Sequence, residues 1–186
     1  MRIISGTNKG KKLYLPDSKF TRPLRDMVKE SIFNLLTHSN QIKIDIENAN
    51  ILDLFAGSGS FGLECLSRGA NCVYFFEKQK IVMKTLEQNI SLLTHKDNYK
   101  IYEEDVIDFC LSEKKIDRKF NIIFIDPPFK ETRINDVIEK ILEKKMLTEK
   151  GLIILHRHKN DKIQITNHLN ILETRIYGIS KIYFAN

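Results

Sequence analysis

Four short stretches carry the residue types that could do chemistry. "NIIFIDPPFK", residues 121–130, runs apolar into one acid, two prolines and an aromatic ring. Proline has no N–H for a central strand and holds the residue before it extended, so Asp126 is fixed at a strand's end with Phe129 close by. "LDLFAGSGSFGLE" sets Gly57, Gly59 and Gly62 in G-x-G-x-x-G register after a strand and at the start of a helix. A loop without side chains lets a cofactor approach the backbone and meet N–H groups at the helix start. Two further acids, Glu77 and Asp105, close the next two apolar runs.

The carboxylates decide which cofactor the loop suits. Asp53 precedes Gly57 by four residues, where it would repel a dinucleotide's pyrophosphate but could hold the cationic amino group of a methionine moiety. That favours S-adenosylmethionine over NAD, although Glu77, 20 residues after Gly57, could reach ribose hydroxyls in either. Asp105 is placed to accept from an adenine amino group, or simply to cap the helix that follows. Phe55, Ser58 and Val106 complete the candidate cofactor-binding set.

These residues need a scaffold that brings them to one rim. From residue 50 onward, short apolar runs alternate with amphipathic ones: "NILDLFAG", a helix near 60–68, "NCVYFFE", a helix through "KIVMKTLEQNISLL", "YKIYEED", a short helix, "FNIIFIDPP", a helix through "INDVIEKILEKK", then "GLIILHR". This is the pattern of a parallel sheet covered on both faces. "ILETRIYGISKIYFAN" reads as two strands without a helix between them, so the final strand is expected to return antiparallel. The fold class is α/β: seven strands, mostly parallel, helices on both faces, and a basic N-terminal extension. All four candidate features then fall at carboxyl ends of strands, where open parallel sheets bind ligands.

The 186 residues suit one core, divided here into an extension over 1–40 and a main domain over 41–186. Ahead of the main domain, "TRPLRDMVKESIFNLL" spaces Leu24, Val28, Ile32, Leu35 and Leu36 as a helical stripe, with Thr21 and Pro23 at its start. Its other face is expected to carry Arg22, Arg25 and Lys29. Residues 1–30 hold eight Lys or Arg against three Asp or Glu, a net +5 of the chain's total +6. Such an arm suits a polyanion, because each phosphate contact releases counterions. Arg2, Lys9, Lys11, Lys12, Arg22, Arg25 and Lys29 are the candidate nucleic-acid contacts.

Three cysteines without a C-x-x-C pair argue against a disulfide framework or zinc knuckle, and are expected to be reduced. His156 and His158 alternate like a metal pair, but no third ligand is apparent and no metal is expected. No export signal or membrane span is legible, so a cytoplasmic protein is expected.

"DPPF" resembles the D/N-P-P-Y/F motif of enzymes that methylate amino nitrogens conjugated to a ring or carbonyl. Asp126, Pro127 and Phe129 are then the catalytic candidates. A sulfonium methyl is already activated, so no Ser/His/Asp arrangement is needed, and none is expected. The chain as a whole is similar to the RsmD-type family of bacterial 16S rRNA guanine-N2 methyltransferases, through "RIISGTNKGKKL", "TRPLRDMVKESIFNLL", "DLFAGSGSFGLE", Glu77, "FIDPPF" and "YGISKIYF". The resemblance implies a Rossmann-like fold and methyl transfer from S-adenosylmethionine to a guanine amine of 16S rRNA, on a small ribosomal subunit or assembly intermediate; a monomer is expected. The chain departs from the family pattern at Leu24, Met27 and the pair His156-Arg157, where the family has Thr, Arg and Glu-His. "DPPF" leaves an adenine-N6 methyltransferase open, the glycine loop leaves an NAD-dependent oxidoreductase open, and a third alternative is an RNA-binding or assembly factor on an inactive methyltransferase fold.

Overall fold

The structure, a computed structural model, describes residues 1–16, 24–42, 44–93 and 98–186. Helices and strands follow in the order α1 (Asp26–His38), β1 (Asn50–Leu54), α2 (Ser60–Ser67), β2 (Cys72–Phe76), α3 (Lys80–Leu93), β3 (Tyr99–Tyr102), α4 (Val106–Leu111), β4 (Phe120–Ile125), α5 (Ile134–Glu143), β5 (Leu147–His158), β6 (Ile171–Tyr177) and β7 (Ser180–Ala185). The seven strands form one sheet in the order β3-β2-β1-β4-β5-β7-β6. All neighbours pair parallel except those of β7, which runs antiparallel to both β5 and β6. The order reverses between β1 and β4, and such a switch point opens a crevice at the strands' carboxyl ends.

The period-2 alternation of side chains divides the core in two. Ile51, Val73, Phe75, Ile122, Phe124, Leu152 and Ile154 pack under α1, α2 and α3. Their neighbours Leu52, Leu54, Tyr74, Phe76, Ile123, Ile125, Ile153 and Leu155 pack under α4 and α5. Phe61 of α2 stacks on Phe33 of α1 and Phe124 of β4, with ring centroids 5.2 and 4.0 Å away, tying both helices to the switch point. Burial of each such ring stabilises the fold by roughly 1.5–3 kcal/mol.

The N-terminal segment forms a narrow hairpin in which Arg2 bridges Lys12 and the Ile3 N–H donates to the Lys11 carbonyl. Ile3 and Leu13 enter the core beside α1. Gly6, at φ +83°, comes so near α2 that a Cβ would lie 1.8 Å from the Ser67 carbonyl oxygen. Glu64 of α2 accepts from the N–H groups of Ile4 and Ser5 at 2.7 and 2.9 Å.

Two boundaries differ from the sequence expectation. The first helix begins at Asp26, with Arg25 as its extended N-cap residue, while Thr21 and Pro23 lie outside the described residues. β5 begins at Leu147, four residues before Gly151, because its pairing with β4 resumes across a register shift between Phe120 and Ile122. Among the described residues no helix is long and apolar enough to cross a membrane. Cys65, Cys72 and Cys110 are free thiols.

Candidate active site

The glycine loop leaves β1 through Phe55, whose φ of +62° puts a bulky residue in the left-handed region. Strain of this kind persists only where the surroundings enforce it. Here the Ala56 N–H donates to the Phe76 carbonyl at 2.8 Å, turning the chain over the end of β2. Gly57 has a φ of +58° and nothing within 4 Å of where a Cβ would stand, so its backbone faces open space. Gly59 and Gly62 differ from it. A Cβ on Gly59 would meet Leu86 at 2.4 Å and one on Gly62 would meet Phe75 at 2.3 Å, so both serve the close packing of α2 behind the loop.

Two N–H groups of the loop are taken by its own acids. Gly62 donates to Asp53 Oδ2 at 2.9 Å, and Gly57 donates to Glu77 Oε2 at 3.0 Å. Gln79 N–H occupies the other Glu77 oxygen at 2.8 Å. The loop therefore aims carboxylates as well as presenting backbone.

Asp53 is 1% exposed. Burial raises its pKa to about 8; the Gly62 hydrogen bond lowers it, and the nearby charges of Asp126 and Glu77 push it up again. Burial also raises Glu77, against the opposing backbone hydrogen bonds from Gln79 and Gly57. A cation placed beside such acids favours their ionised form.

These groups line a cavity of about 760 Å³ at the switch point. Its walls include Asp53, Phe55, Gly57, Ser58, Glu77, Val106, Asp126, Pro127 and Phe129, with Arg25, Lys78, Lys130, His156 and Ser180 also contributing. Gly59 and Gly62 lie behind the wall. Asp105 fills the capping role that its position also allowed: Oδ1 caps α4 through the Ile107 N–H at 2.7 Å, and Oδ2 pairs with Lys78. Desolvation opposes ionisation of Asp105, but the Lys78 hydrogen bond and that of Ile107 outweigh it and hold its pKa below the usual carboxylate value.

The Asp126 end of the cavity is held by β5. His156 Nδ1 lies 2.8 Å from Asp126 Oδ1, and its Nε2 lies 2.9 Å from Ser180 Oγ. Sequence reasoning expected no Ser/His/Asp arrangement, yet the antiparallel return of β7 brings these three side chains together. On the other face of β5, Arg157, 1% exposed, donates to the carbonyls of Phe129 and Glu131 at 3.2 and 3.1 Å and pairs with Asp161. Phe129 packs edge-to-face against His156 and His158, with centroids 5.7 and 5.2 Å away. Among the described residues, no group of three or more His, Cys, Asp or Glu is placed to hold a metal ion.

Of the basic residues, Arg2, Lys9, Lys11 and Lys12 are exposed on the N-terminal hairpin, and Arg25 is exposed beside the cavity. Arg22 lies outside the described residues. Lys29 is a correction. It is 0% exposed, with Nζ donating to the Arg2 carbonyl at 2.7 Å and Ser60 Oγ at 3.2 Å and facing Glu64 at 3.6 Å. Burial lowers its pKa against the opposing charge of Glu64. It fastens α1 to the hairpin and α2, and cannot touch a nucleic acid. The sequence reasoning also passed over Lys78 and Lys130; each stands next to a residue it did single out.

The family described as "Conserved hypothetical protein 95" matches residues 1–186. Ribosomal RNA small subunit methyltransferase D of Haemophilus influenzae is 32% identical over 180 residues, covering 96% of this chain and 90% of the relative. The solved structure of yhhF from Escherichia coli superposes with a TM-score of 0.83 at 27% identity, covering 100% of this chain and 96% of the other. A more distant structure, SMU.776 complexed with SAH, shares the fold with a TM-score of 0.63 at 17% identity, over 84% of this chain and 48% of the other. The glycine loop, the acids at successive strand ends and the Asp-Pro-Pro-Phe turn thus belong to a chain that is a member of the RsmD family of methyltransferases.

Proposed function

We propose that this protein transfers a methyl group from S-adenosylmethionine to the exocyclic N2 amine of a guanine in 16S rRNA of the small ribosomal subunit. The observation that carries the reading is one cavity with two kinds of acid: buried Asp53 at the glycine loop, and Asp126 at its rim beside Phe129.

S-adenosylmethionine, when bound, supplies a methyl already activated by its sulfonium. Asp53 is the partner for the methionine ammonium, and Glu77, aimed by two backbone N–H groups, is the partner for the ribose hydroxyls. Gly57 allows close approach, while Phe55, Ser58 and Val106 give the cavity its shape. The carboxylates of Asp53 and Glu77 at the loop also favour a ligand bearing both ammonium and sulfonium charge.

A guanine amine is a poor nucleophile because its lone pair is delocalised into the ring. Asp126 and the Pro127 carbonyl accept hydrogen bonds from its two N–H groups, turning the lone pair toward the methyl and stabilising positive charge on nitrogen. As the N–C bond forms the S–C bond breaks, the donor leaves as the neutral thioether, and the surplus amine proton passes by way of Asp126 to solvent. Alignment of the two reactants supplies the remaining acceleration. Phe129 stacks on the base, worth roughly 1–3 kcal/mol, once the nucleotide has been extruded from its helix. Residues 1–40 are the RNA-facing extension, with Arg2, Lys9, Lys11, Lys12, Arg22 and Arg25 meeting phosphates. The protein works as a cytoplasmic monomer on a subunit or assembly intermediate.

Mass spectrometry of small-subunit rRNA from cells with and without the gene tests this reading. Loss of one N2-methylguanosine is the expected result. Unchanged rRNA, or loss of an N6-methyladenosine, overturns it.

A further inference from the structure

Accepting an amine proton requires an anionic carboxylate with a free oxygen, and one oxygen of Asp126 is already engaged. His156 is 7% exposed, and the residue at its far side, Ser180, is 6% exposed. An ionised carboxylate only accepts, so the ring nitrogen facing Asp126 carries a proton. A serine hydroxyl both donates and accepts, so Ser180 adapts to the ring nitrogen it faces.

We propose that His156 is a positioning residue for methyl transfer: as neutral imidazole it donates Nδ1–H to Asp126 Oδ1 and accepts the Ser180 hydroxyl at Nε2, leaving Asp126 anionic with Oδ2 turned to the acceptor amine. The inference rests on the proposed role of Asp126 and adds what orients that side chain. Side-chain direction at a strand end is otherwise weakly determined, since Asp126 stands beyond the last residue of β4. An imidazolium would place positive charge against the carboxylate and weaken its hold on a nitrogen that is itself becoming positive.

The same three residue types serve nucleophilic catalysis in other proteins. Here the order of contacts puts the carboxylate at the cavity rim, with 18% of its side chain exposed, and the serine at the buried end. The serine is thus the anchor of the ring and Asp126 the group presented to the substrate.

The experiment pairs ring-nitrogen NMR with steady-state methylation of purified small-subunit particles. In the wild-type protein, 15N spectra of His156 should show a protonated Nδ1 and an unprotonated Nε2 at neutral pH; the opposite tautomer or an imidazolium overturns the proposal. This readout needs no variant and no turnover. An Asn amide nitrogen overlays Nδ1, whereas a Gln amide nitrogen overlays Nε2. His156→Gln and His156→Ala should therefore lower kcat by about 10- to 100-fold, the scale of a small misplacement of a reacting group. His156→Asn should restore most of that loss, with KM for the particle and donor affinity unchanged throughout. Equal activity of the Asn and Gln variants would reduce His156 to packing, and labelling of Ser180 by a fluorophosphonate would make it a nucleophile; either result overturns the proposal. A wild-type protein that methylates no guanine would instead sink the proposed function, while the spectra would still test the tautomer.

Discussion

Arg157 holds the main chain of the turn that begins at Asp126: its guanidinium donates to the Phe129 carbonyl at 3.2 Å from the opposite face of the strand that carries His156. Consecutive residues of β5 thus secure the same turn twice, one through its backbone and the other through its acid. A planar fork with several donors suits the first task in a way that a point charge cannot.

Arg157→Met should therefore cost about 3 kcal/mol, because Asp161 and the carbonyls of Pro128, Phe129 and Glu131 lose a buried partner, and should lower Tm by about 10 °C. Arg157→Lys should recover the charge but not the geometry, regaining part of the stability and little of the transfer rate. Thermal melts and single-turnover assays check both. A Met variant that melts like wild type would remove the clamp from the account.

The basic residues of the extension divide into two classes with opposite signatures. Lys11→Glu with Lys12→Glu should weaken RNA binding and reduce its salt dependence with little change in Tm, since both side chains are exposed. Lys29→Met should do the reverse. Its removal leaves Glu64 with Arg68 and two N–H groups, so stability falls while the salt slope stays that of wild type. Titrations at several salt concentrations separate the two.

Asp53 gives the free protein a pH signature. Its pKa in the fold is raised, to about 8, so the folded chain retains a proton that the unfolded chain releases at lower pH. The sign follows directly: stability from this group is present below the unfolded carboxylate value and is lost as pH rises toward 8. The Tm difference between wild type and Asp53→Asn should accordingly move against wild type over that range. Binding of a cationic donor needs the ionised acid, so donor affinity should weaken as pH falls below 8, approaching tenfold per unit, and Asp53→Asn should abolish the slope. Calorimetric titration at three pH values is sufficient.

The alternation of strands and helices, the glycine loop and the acids at strand ends are legible in the sequence because they are written locally, as periodicity, punctuation and spacing. Lys29 was misassigned for a tertiary reason: its helix face looks outward until the Ile3 hairpin folds over it. His156 stands out in the sequence as half of a possible metal pair and as a departure from the family pattern, but nothing within "LIILHRH" reveals that β7 delivers Ser180 beside it. Asp105 illustrates competition between two local signals, in which the helix that it precedes claimed its carboxylate. The use of the Gly57 N–H by Glu77 depends on the parallel pairing of β1 with β2, which no spacing rule encodes.

The most direct test of the whole account is single-turnover methyl transfer by Asp126→Ala, measured alongside its affinity for S-adenosylmethionine. Donor binding should match wild type while transfer to the small-subunit particle falls by about two to three orders of magnitude, the scale for losing a partner of transition-state charge. Transfer at the wild-type rate with the carboxylate gone would contradict the account.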